Sequence, residues 1–331
     1  MMHVLGFIFC AIIIFLAGKR LSYYGDLLAE ITGMGKAWIG LILMSAVTSL
    51  PELMVGISSS AIIQNADLAV GDILGSCAFN LGLLSVMDMF TPKNRPLFSS
   101  ISQSHILATA FGIILIGLVG LGLFLEKDIV LTPSIGLTSI AFALIYFVSI
   151  KTIYNYQKSH PQVVISSEPS TTQFTPKQVT VRYGVFALII VITALALPYF
   201  AEHIAEQTGL GKSFVGTLFL AISTSLPEIA VSLAAVRMGS PDMAVGNLLG
   251  SNIFNVFILF LDDVFYTKGH LLKDASESNL ITVFFVILMA TTAIIGFIYP
   301  SKEKKLILDW DTLIIFIFYL FNILILYKVT S

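Results

Sequence analysis

Thr48-Ser49-Leu50-Pro51-Glu52 occurs a second time in this chain of 331 residues, as Thr224-Ser225-Leu226-Pro227-Glu228. Each copy is followed by a second shared motif, AVGDILGSCAFN at residues 69–80 and AVGNLLGSNIFN at residues 244–255. These two segments are identical at eight of twelve positions, and their distances from the pentapeptides differ by one residue. A Pro-Glu pair and a Gly-Ser-x-x-Phe-Asn motif at matched distances indicate an internal duplication.

The composition excludes a soluble enzyme. Only 11% of the residues are Asp, Glu, Lys or Arg, 56% are hydrophobic, and the mean hydropathy is +0.92. Soluble domains carry about twice that charged fraction. The net charge of −2 and the lack of a long basic run also exclude a nucleic-acid-binding protein. The chain is therefore predicted to be a polytopic membrane protein.

Apolar stretches of membrane-spanning length predict ten spans. The only long polar stretch follows the fifth span and has the composition of a flexible linker. The predicted organisation is a first five-helix repeat (1–150), a linker (151–182) and a second five-helix repeat (183–331). The spans are 2–18, 37–62, 67–89, 103–125, 129–150, 183–202, 213–236, 242–263, 279–299 and 309–327.

The distribution of basic residues predicts the orientation. If the N-terminus lies outside, 13 of the Lys and Arg residues fall in inner loops and 5 in outer loops. This bias agrees with the positive-inside rule. We therefore expect a multi-pass membrane protein with both termini outside and a cytoplasmic linker.

Five spans per repeat is an odd number, so the two copies must cross the membrane in opposite orientations. The predicted fold is an all-α membrane protein with ten transmembrane helices in two inverted five-helix repeats. Inverted repeats are typical of secondary transporters, in which the binding site lies near the membrane midplane where the repeats meet.

Glu52 and Glu228 lie well inside their spans, where an uncompensated carboxylate costs several kcal/mol. Neither motif span contains a Lys or Arg to neutralise them. The prolines of the pentapeptides lack an N–H group, so the carbonyls of Val47 and Ser223 lose their helical partners. Such carbonyls are tolerated in the membrane where they line a cavity or meet a cation. Two glutamates would balance one Ca²⁺.

The second motif adds further oxygen donors. Ser76 and Asn80, like Ser251 and Asn255, are four residues apart and share a helix face. Carboxylate, hydroxyl, amide and backbone oxygens suit hard cations such as Ca²⁺ and Na⁺ better than zinc or copper. Glycines 71, 75, 246 and 250 predict close helix packing around this site.

The duplicated T-S-L-P-E and G-S-x-x-F-N motifs, in ten spans with a linker after the fifth, resemble the calcium/cation antiporter superfamily, specifically the prokaryotic-type sodium/calcium exchangers. The resemblance implies a Ca²⁺ site made by the two motif glutamates and the backbone oxygens of the motif threonines. It implies Na⁺ sites that add the motif serines and the residue three before each threonine, with Asn80 and Asn255 at positions where members carry Asn or Asp. Carried onto this chain, the set is Glu52, Glu228, Thr48, Thr224, Ser49, Ser225, Ser76, Ser251, Ser45, Ala221, Asn80 and Asn255.

The chain departs from the family pattern close to this site. Val47 and Ser223 stand where exchangers usually have Gly, and Cys77 replaces an amide. Asp72 adds a third acidic group one turn from Ser76 and joins the candidate cation ligands, with a structural hydrogen-bonding role as its alternative. Because these changes lie close to the site, the resemblance leaves the ion selectivity and the number of coupled ions open.

The implied function is antiport of Ca²⁺ against Na⁺ by alternating access, without enzymatic activity or a resident cofactor. The alternatives are a proton-coupled exchanger of Ca²⁺ or another divalent cation, a K⁺-linked exchanger, which Asn255 in place of an acid disfavours, and a cation channel. The motif hydroxyls favour Na⁺ over H⁺, because protonation needs only the carboxylates. The expected partners are Ca²⁺, Na⁺ or H⁺, and the lipid bilayer, and a monomer suffices.

Other ionisable residues are expected to have ordinary roles. Asp88, Asp262 and Asp263 lie near span ends, where we expect them to be solvated. The five histidines lie near span ends or in loops without ligand spacing, which predicts interfacial positions.

Overall fold

The computed structural model describes residues 2–125, 135–160, 174–208 and 221–330. In these ranges the chain is helical with short turns and has no β-strand. Ten main helices are numbered here in chain order: α1 (Met2–Thr32), α2 (Lys36–Ile63), α3 (Ala66–Met89), α4 (Ser104–Leu125), α5 (Leu137–Ser159), α6 (Pro176–Gln207), α7 (Leu226–Arg237), α8 (Pro241–Phe265), α9 (Asn279–Ile298) and α10 (Trp310–Thr330).

Each of these ten helices corresponds to one of the ten predicted spans. Among the described residues, nine helices are long and apolar enough to cross a membrane. The remaining one, α7, corresponds to the predicted span 213–236, of which residues 213–220 lie outside the described part of the chain. Short helical turns at Leu97–Ser100 and Leu271–Asp274 lie in the α3–α4 and α8–α9 connections.

Several helices are longer than their predicted spans. Helix α1 continues from the predicted end at residue 18 to Thr32. The connection between α5 and α6 is shorter than the predicted linker 151–182, because α5 extends to Ser159 and α6 begins at Pro176. Hydropathy marks only the residues within the hydrocarbon, whereas helical hydrogen bonds continue beyond it. Residues 161–173 of this linker lie outside the described residues.

Both pentapeptides interrupt their helices at the serine. Ser49 has φ −90° and ψ 7°, and Ser225 has φ −85° and ψ 7°. The helix resumes directly afterwards with the proline in its first turn. Proline is tolerated there, because the N–H groups of a first helical turn have no intrahelical partner. The same local sequence thus produces the same break in both repeats.

The broken helices and the glycine-containing helices form the centre of the protein. Helix α8 packs against α2, α3 and α7, whereas α1 packs along α6 at the periphery. In the most apolar window of each helix, 78% of α8 is buried inside the protein, against 17% of α10. Apolar side chains on α1, α5, α6 and α10 that remain exposed are those available to lipid.

Two glycines let α8 approach α2 at backbone distance. A Cβ atom at Gly246 would lie 2.6 Å from the carbonyl oxygen of Ala37, and one at Gly250 would overlap the carbonyl oxygen of Leu41. The prediction of close packing is confirmed for these two positions. For Gly71 and Gly75 it stays a prediction, because the equivalent partners in the other repeat, residues 213 and 217, lie outside the described residues.

We expect Gly250→Ala to lower the stability of the folded protein by about 1–3 kcal/mol, because the added methyl group forces α8 away from α2. The measurement is the apparent thermal unfolding temperature of the purified protein in detergent. Gly184→Ala in α6 is the matched control, since among the described residues no atom outside its own helix backbone lies within 4 Å of the added methyl group. Equal unfolding temperatures for the two variants would contradict the close approach.

Candidate functional site

The two helix breaks place one glutamate each at the centre of the protein. Glu52 lies in the first turn after the break in α2, and Glu228 lies in the first turn of α7. Both side chains are 1% exposed. A helix N-terminus favours negative charge, because its N–H groups point toward the carboxylate. The breaks therefore supply partial compensation for charges that the interior would otherwise disfavour.

The two glutamates are linked across the repeats by the pentapeptide serines. Ser49 Oγ donates to Glu228 Oε1 at 3.3 Å, and Ser225 Oγ donates to Glu52 Oε1 at 3.5 Å. The two carboxylates are also close enough for their charges to interact. Each serine thus contacts the glutamate of the opposite repeat, which brings both pentapeptides to one site.

Each carboxylate keeps one oxygen unused. In the described part of the chain, Glu52 Oε2 and Glu228 Oε2 are buried and have no hydrogen-bond partner. Neither glutamate forms a salt bridge with a described basic side chain. Buried charges without partners are costly, so these oxygens are free to bind a cation.

The pentapeptide threonines are fully buried beside the glutamates. Thr48 Oγ1 lies 3.4 Å from the carbonyl oxygen of Ser45, and Thr224 Oγ1 donates to that of Ala221 at 2.8 Å. Each hydroxyl turns toward the carbonyl three residues earlier, so Ser45 and Ala221 occupy equivalent positions. Thr48 also lies in the immediate surroundings of the Glu228 carboxylate.

The serine and asparagine pairs of α3 and α8 line the same region. Ser76, Asn80, Ser251 and Asn255 are all 1% exposed or less. Ser251 Oγ lies 3.4 Å from Thr48 Oγ1 and close to the Glu228 carboxylate. Among the described residues, Ser76 Oγ and Asn80 Oδ1 have no hydrogen-bond partner. Together with the glutamates they provide only hard oxygen donors, which suit Ca²⁺ and Na⁺.

The structure adds two asparagines that the sequence analysis missed. Asn247 is fully buried, accepts from Thr48 Oγ1 at 3.3 Å and donates to Ser232 Oγ at 2.9 Å. Asn252 accepts from Asn80 Nδ2 at 3.1 Å and donates to the carbonyl of Cys77 at 3.2 Å. Asn247 is the repeat counterpart of Asp72, and Asn252 is that of Cys77. Alignment of the two repeats could therefore have identified both asparagines as candidate site residues.

The expectation that Asp88 and Asp263 are solvated is wrong. Both are buried and accept hydrogen bonds from backbone N–H groups of the loops that fold over them. Asp88 accepts from Leu97 N at 3.0 Å and from Asp309 N at 2.8 Å. Asp263 accepts from Leu271 N and Gly136 N, each at 2.7 Å.

These two carboxylates are equivalent positions, eight residues after Asn80 and Asn255. Each ties the end of its motif helix to the following connection and to the start of α10 or α5, the last helix of the opposite repeat. Charge-assisted bonds to backbone N–H groups are strong. Asp262, also expected to be solvated, is 0% exposed.

Two histidines also depart from the expectation of interfacial positions. His105 is fully buried at the start of α4, and its Nε2 lies 2.9 Å from Asp242 Oδ1 in the first turn of α8. His270 is 3% exposed in the α8–α9 connection. The His105–Asp242 contact joins α4 to α8 away from the glutamates.

Known proteins resemble this chain along most of its length. The sequence profile of the family described as "Sodium/calcium exchanger protein" matches residues 2–154 and 179–328. The inner membrane protein YrbG of Escherichia coli is 26% identical over 284 residues, 82% of this chain and 84% of YrbG. The putative antiporter CaxA of Alkalimonas amylolytica is 30% identical over 258 residues, 72% of this chain and 73% of CaxA.

A solved structure shares the fold. The sodium-calcium exchanger NCX_Mj superimposes with a TM-score of 0.74 at 17% sequence identity, covering 98% of both chains. The predicted fold class, ten transmembrane helices in two inverted five-helix repeats, is therefore confirmed.

Asp88, which binds the backbone of the α3–α4 connection, also forms a buried ion pair. Lys304 Nζ lies 3.2 Å from Asp88 Oδ1, and both side chains are 1% exposed or less. We expect Lys304→Met to destabilise the protein by about 3 kcal/mol, because it leaves a buried charge without its partner. The apparent unfolding temperature in detergent measures the effect. The adjacent exposed lysine supplies the control, Lys305→Met, and an equal shift in both variants would argue against the ion pair.

Proposed function

The chain belongs to the sodium/calcium exchanger protein family, and on this premise we propose that it is a secondary-active antiporter that exchanges Ca²⁺ for Na⁺ by alternating access. The observation that carries the proposal is the pair of buried glutamates. Each is bonded to the serine of the opposite repeat, and each has one oxygen without a hydrogen-bond partner among the described residues. Membership of a transporter family also agrees with the expectation that the chain is not an enzyme.

The charge of the glutamate pair provides the coupling. Two ionised carboxylates together carry −2, and moving them through the low-dielectric interior without a cation costs many kcal/mol. One Ca²⁺ or several Na⁺ ions remove most of this cost. Because both ions need the same carboxylates, they compete for the site, and the protein changes its access only when one of them is bound. Competition at one site thus becomes exchange.

We propose that the oxygens of the repeated motifs bind both transported ions. Ca²⁺ takes the carboxylates of Glu52 and Glu228 and the backbone oxygens of Thr48 and Thr224. The Na⁺ ions take these glutamates in combination with the hydroxyl, amide and backbone oxygens around them, at Ser45, Ser49, Ser76, Asn80, Ala221, Ser225, Ser251 and Asn255. In support, every one of these side chains except Ala221 is buried at the meeting point of the broken helices.

The proposed membrane arrangement follows the distribution of Lys and Arg. Both termini lie on the extracytoplasmic side and the linker between α5 and α6 lies in the cytoplasm. The first repeat ends with α5 at Ser159, the second begins with α6 at Pro176, and the chain lies in a prokaryotic inner membrane. In this arrangement the Ile63 end of α2 faces outward and the Lys36 end faces the cytoplasm.

We expect Glu52→Gln and Glu228→Gln each to reduce Ca²⁺ transport to the background rate, because a neutral amide cannot balance the cation. Uptake of ⁴⁵Ca²⁺ into proteoliposomes is the measurement, and size-exclusion chromatography verifies that the variants remain folded. Glu303→Gln, at an exposed loop position, is the matched control and retains transport. Substantial exchange in both glutamate variants would remove the site assignment.

The coupling ion is tested by imposing one gradient at a time. An outwardly directed Na⁺ gradient is expected to drive ⁴⁵Ca²⁺ into proteoliposomes, and collapsing that gradient with a Na⁺ ionophore is expected to stop it. Uptake driven by a pH gradient and insensitive to Na⁺ would identify a proton-coupled exchanger. Uptake that follows the Ca²⁺ gradient and membrane potential alone, without a counter-ion, would identify a channel.

A further inference from the structure

The two repeats differ one helical turn from the glutamates. In the half of the protein that contains the Lys36 end of α2, Asn247 forms hydrogen bonds through both ends of its amide. It donates to Ser232 Oγ at 2.9 Å and accepts from Thr48 Oγ1 at 3.3 Å. This position is neutral, and both the oxygen and the nitrogen of its amide have a hydrogen-bond partner.

The equivalent positions in the other half are different. The repeat alignment places Asp72 opposite Asn247, Gly56 opposite Ser232, and Asp262 opposite Met87. A neutral asparagine and an apolar methionine in one half therefore correspond to two carboxylates in the other. The hydroxyl that satisfies Asn247 has no counterpart, because Gly56 has no side chain.

The glycine makes room for the second carboxylate. A Cβ atom at Gly56 would lie 2.5 Å from Asp262 Oδ2 and 2.6 Å from Asp262 Oδ1, so only glycine permits this arrangement. The Asp262 carboxylate therefore packs directly on the backbone of α2, one turn beyond Glu52. The four residues from Glu52 to Gly56 correspond to about 6 Å along the helix axis, toward Ile63.

Neither carboxylate has a complete set of partners in the described part of the chain. Asp262 is 0% exposed and both its oxygens lack a hydrogen bond, and Asp72 is half-buried with Oδ2 buried and unbonded. The charge of Asp72 acts on both Asp262 and Glu52. The neighbouring Asp263 also acts on Asp262, but its own oxygens are taken by two backbone N–H groups.

Asp262 is therefore a fully buried carboxylate that interacts electrostatically with the half-buried Asp72, and neither has a described basic side chain in ion-pair distance. An arrangement of this kind is expensive unless a cation is bound. Carboxylate oxygens prefer hard cations, and two carboxylates balance the charge of one divalent ion.

We propose that Asp72 and Asp262 form a second cation site for Ca²⁺, one helical turn from Glu52 on the Ile63 side of the protein. This inference rests on the proposed function, in which Ca²⁺ is the transported ion that passes this position. In the proposed orientation the site faces outward. It holds Ca²⁺ beside the glutamate pair on that side only, because the cytoplasmic half has the neutral Asn247 and Met87 at the equivalent positions.

The test separates the two sites by their stoichiometry. Equilibrium dialysis of the purified full-length protein with ⁴⁵Ca²⁺ is expected to give two bound ions for the unmodified chain. The Glu52→Gln/Glu228→Gln double variant is expected to keep one ion, and adding Asp262→Asn to that variant is expected to remove it. Asp72→Asn is expected to act like Asp262→Asn, and Glu303→Gln, at an exposed position, is expected to change nothing.

A stability measurement keeps the proposal testable if binding is weak. Asp262→Asn removes an uncompensated buried charge, so we expect it to raise the apparent unfolding temperature without Ca²⁺ and to reduce the Ca²⁺-dependent increase. A destabilised Asp262→Asn variant with an unchanged Ca²⁺-dependent increase would overturn the site. In proteoliposomes, Asp262→Asn is expected to raise the half-saturating Ca²⁺ concentration several-fold on the outward side alone.

The outcomes distinguish this site from the proposed function. One ion bound by the unmodified chain and none by the glutamate double variant would overturn the second site and leave the exchanger intact. An ion that persists in the double variant and is insensitive to Asp262→Asn would also overturn it. If no Ca²⁺ is transported but the Asp262-dependent ion is still bound, the site stands and the proposed function fails.

Discussion

Two carboxylates inside the bilayer-spanning core impose the constraint from which the rest of the arrangement follows. Glu52 and Glu228 are buried and have no basic partner in the described chain, so their surroundings must supply positive ends of dipoles and leave room for cations. The proline-induced breaks do this by starting a new helix at each glutamate. The crossed bonds from Ser49 and Ser225 then make each repeat complete the environment of the other repeat's glutamate. A single repeat would hold one glutamate without its serine, so the duplication is a requirement of the site.

The sequence predicts the fold class and the central residues because both depend on strong local signals. Long apolar stretches specify membrane spans, and a glutamate inside a pentapeptide that occurs twice specifies the site. Helix ends are predicted less well, because residues 19–32 continue α1 beyond the apolar stretch without any hydropathy signal. The side-chain contacts across the repeats depend on how the helices pack, and no local pattern records that packing.

The acidic residues near span ends show which side-chain contacts the duplicated sequence could predict and which it could not. Charges in such places are usually solvated, but Asp88 and Asp263 are covered by loops whose N–H groups they accept. Their equal distance from Asn80 and Asn255 in the two repeats marked them as a duplicated feature. Asp262 has no acidic counterpart at Met87, so only the structure reveals its place against Gly56. Comparison of the repeats thus identifies residues that both repeats share, but it does not predict the role of a residue that only one repeat has.

That difference between shared and changed positions has a mechanistic consequence. The glutamates and the pentapeptide hydroxyls, which both repeats retain, serve a site that must be equivalent when approached from either side of the membrane. Residues that differ, Asp72 against Asn247 and Asp262 against Met87, lie one or more turns away, where an ion meets only one repeat's half of the path. An exchanger gains nothing from asymmetry at the shared site, because both transported ions must bind there in both access states. Asymmetry along the path changes how readily an ion arrives from one side, and it leaves the exchange equilibrium fixed by the ion gradients.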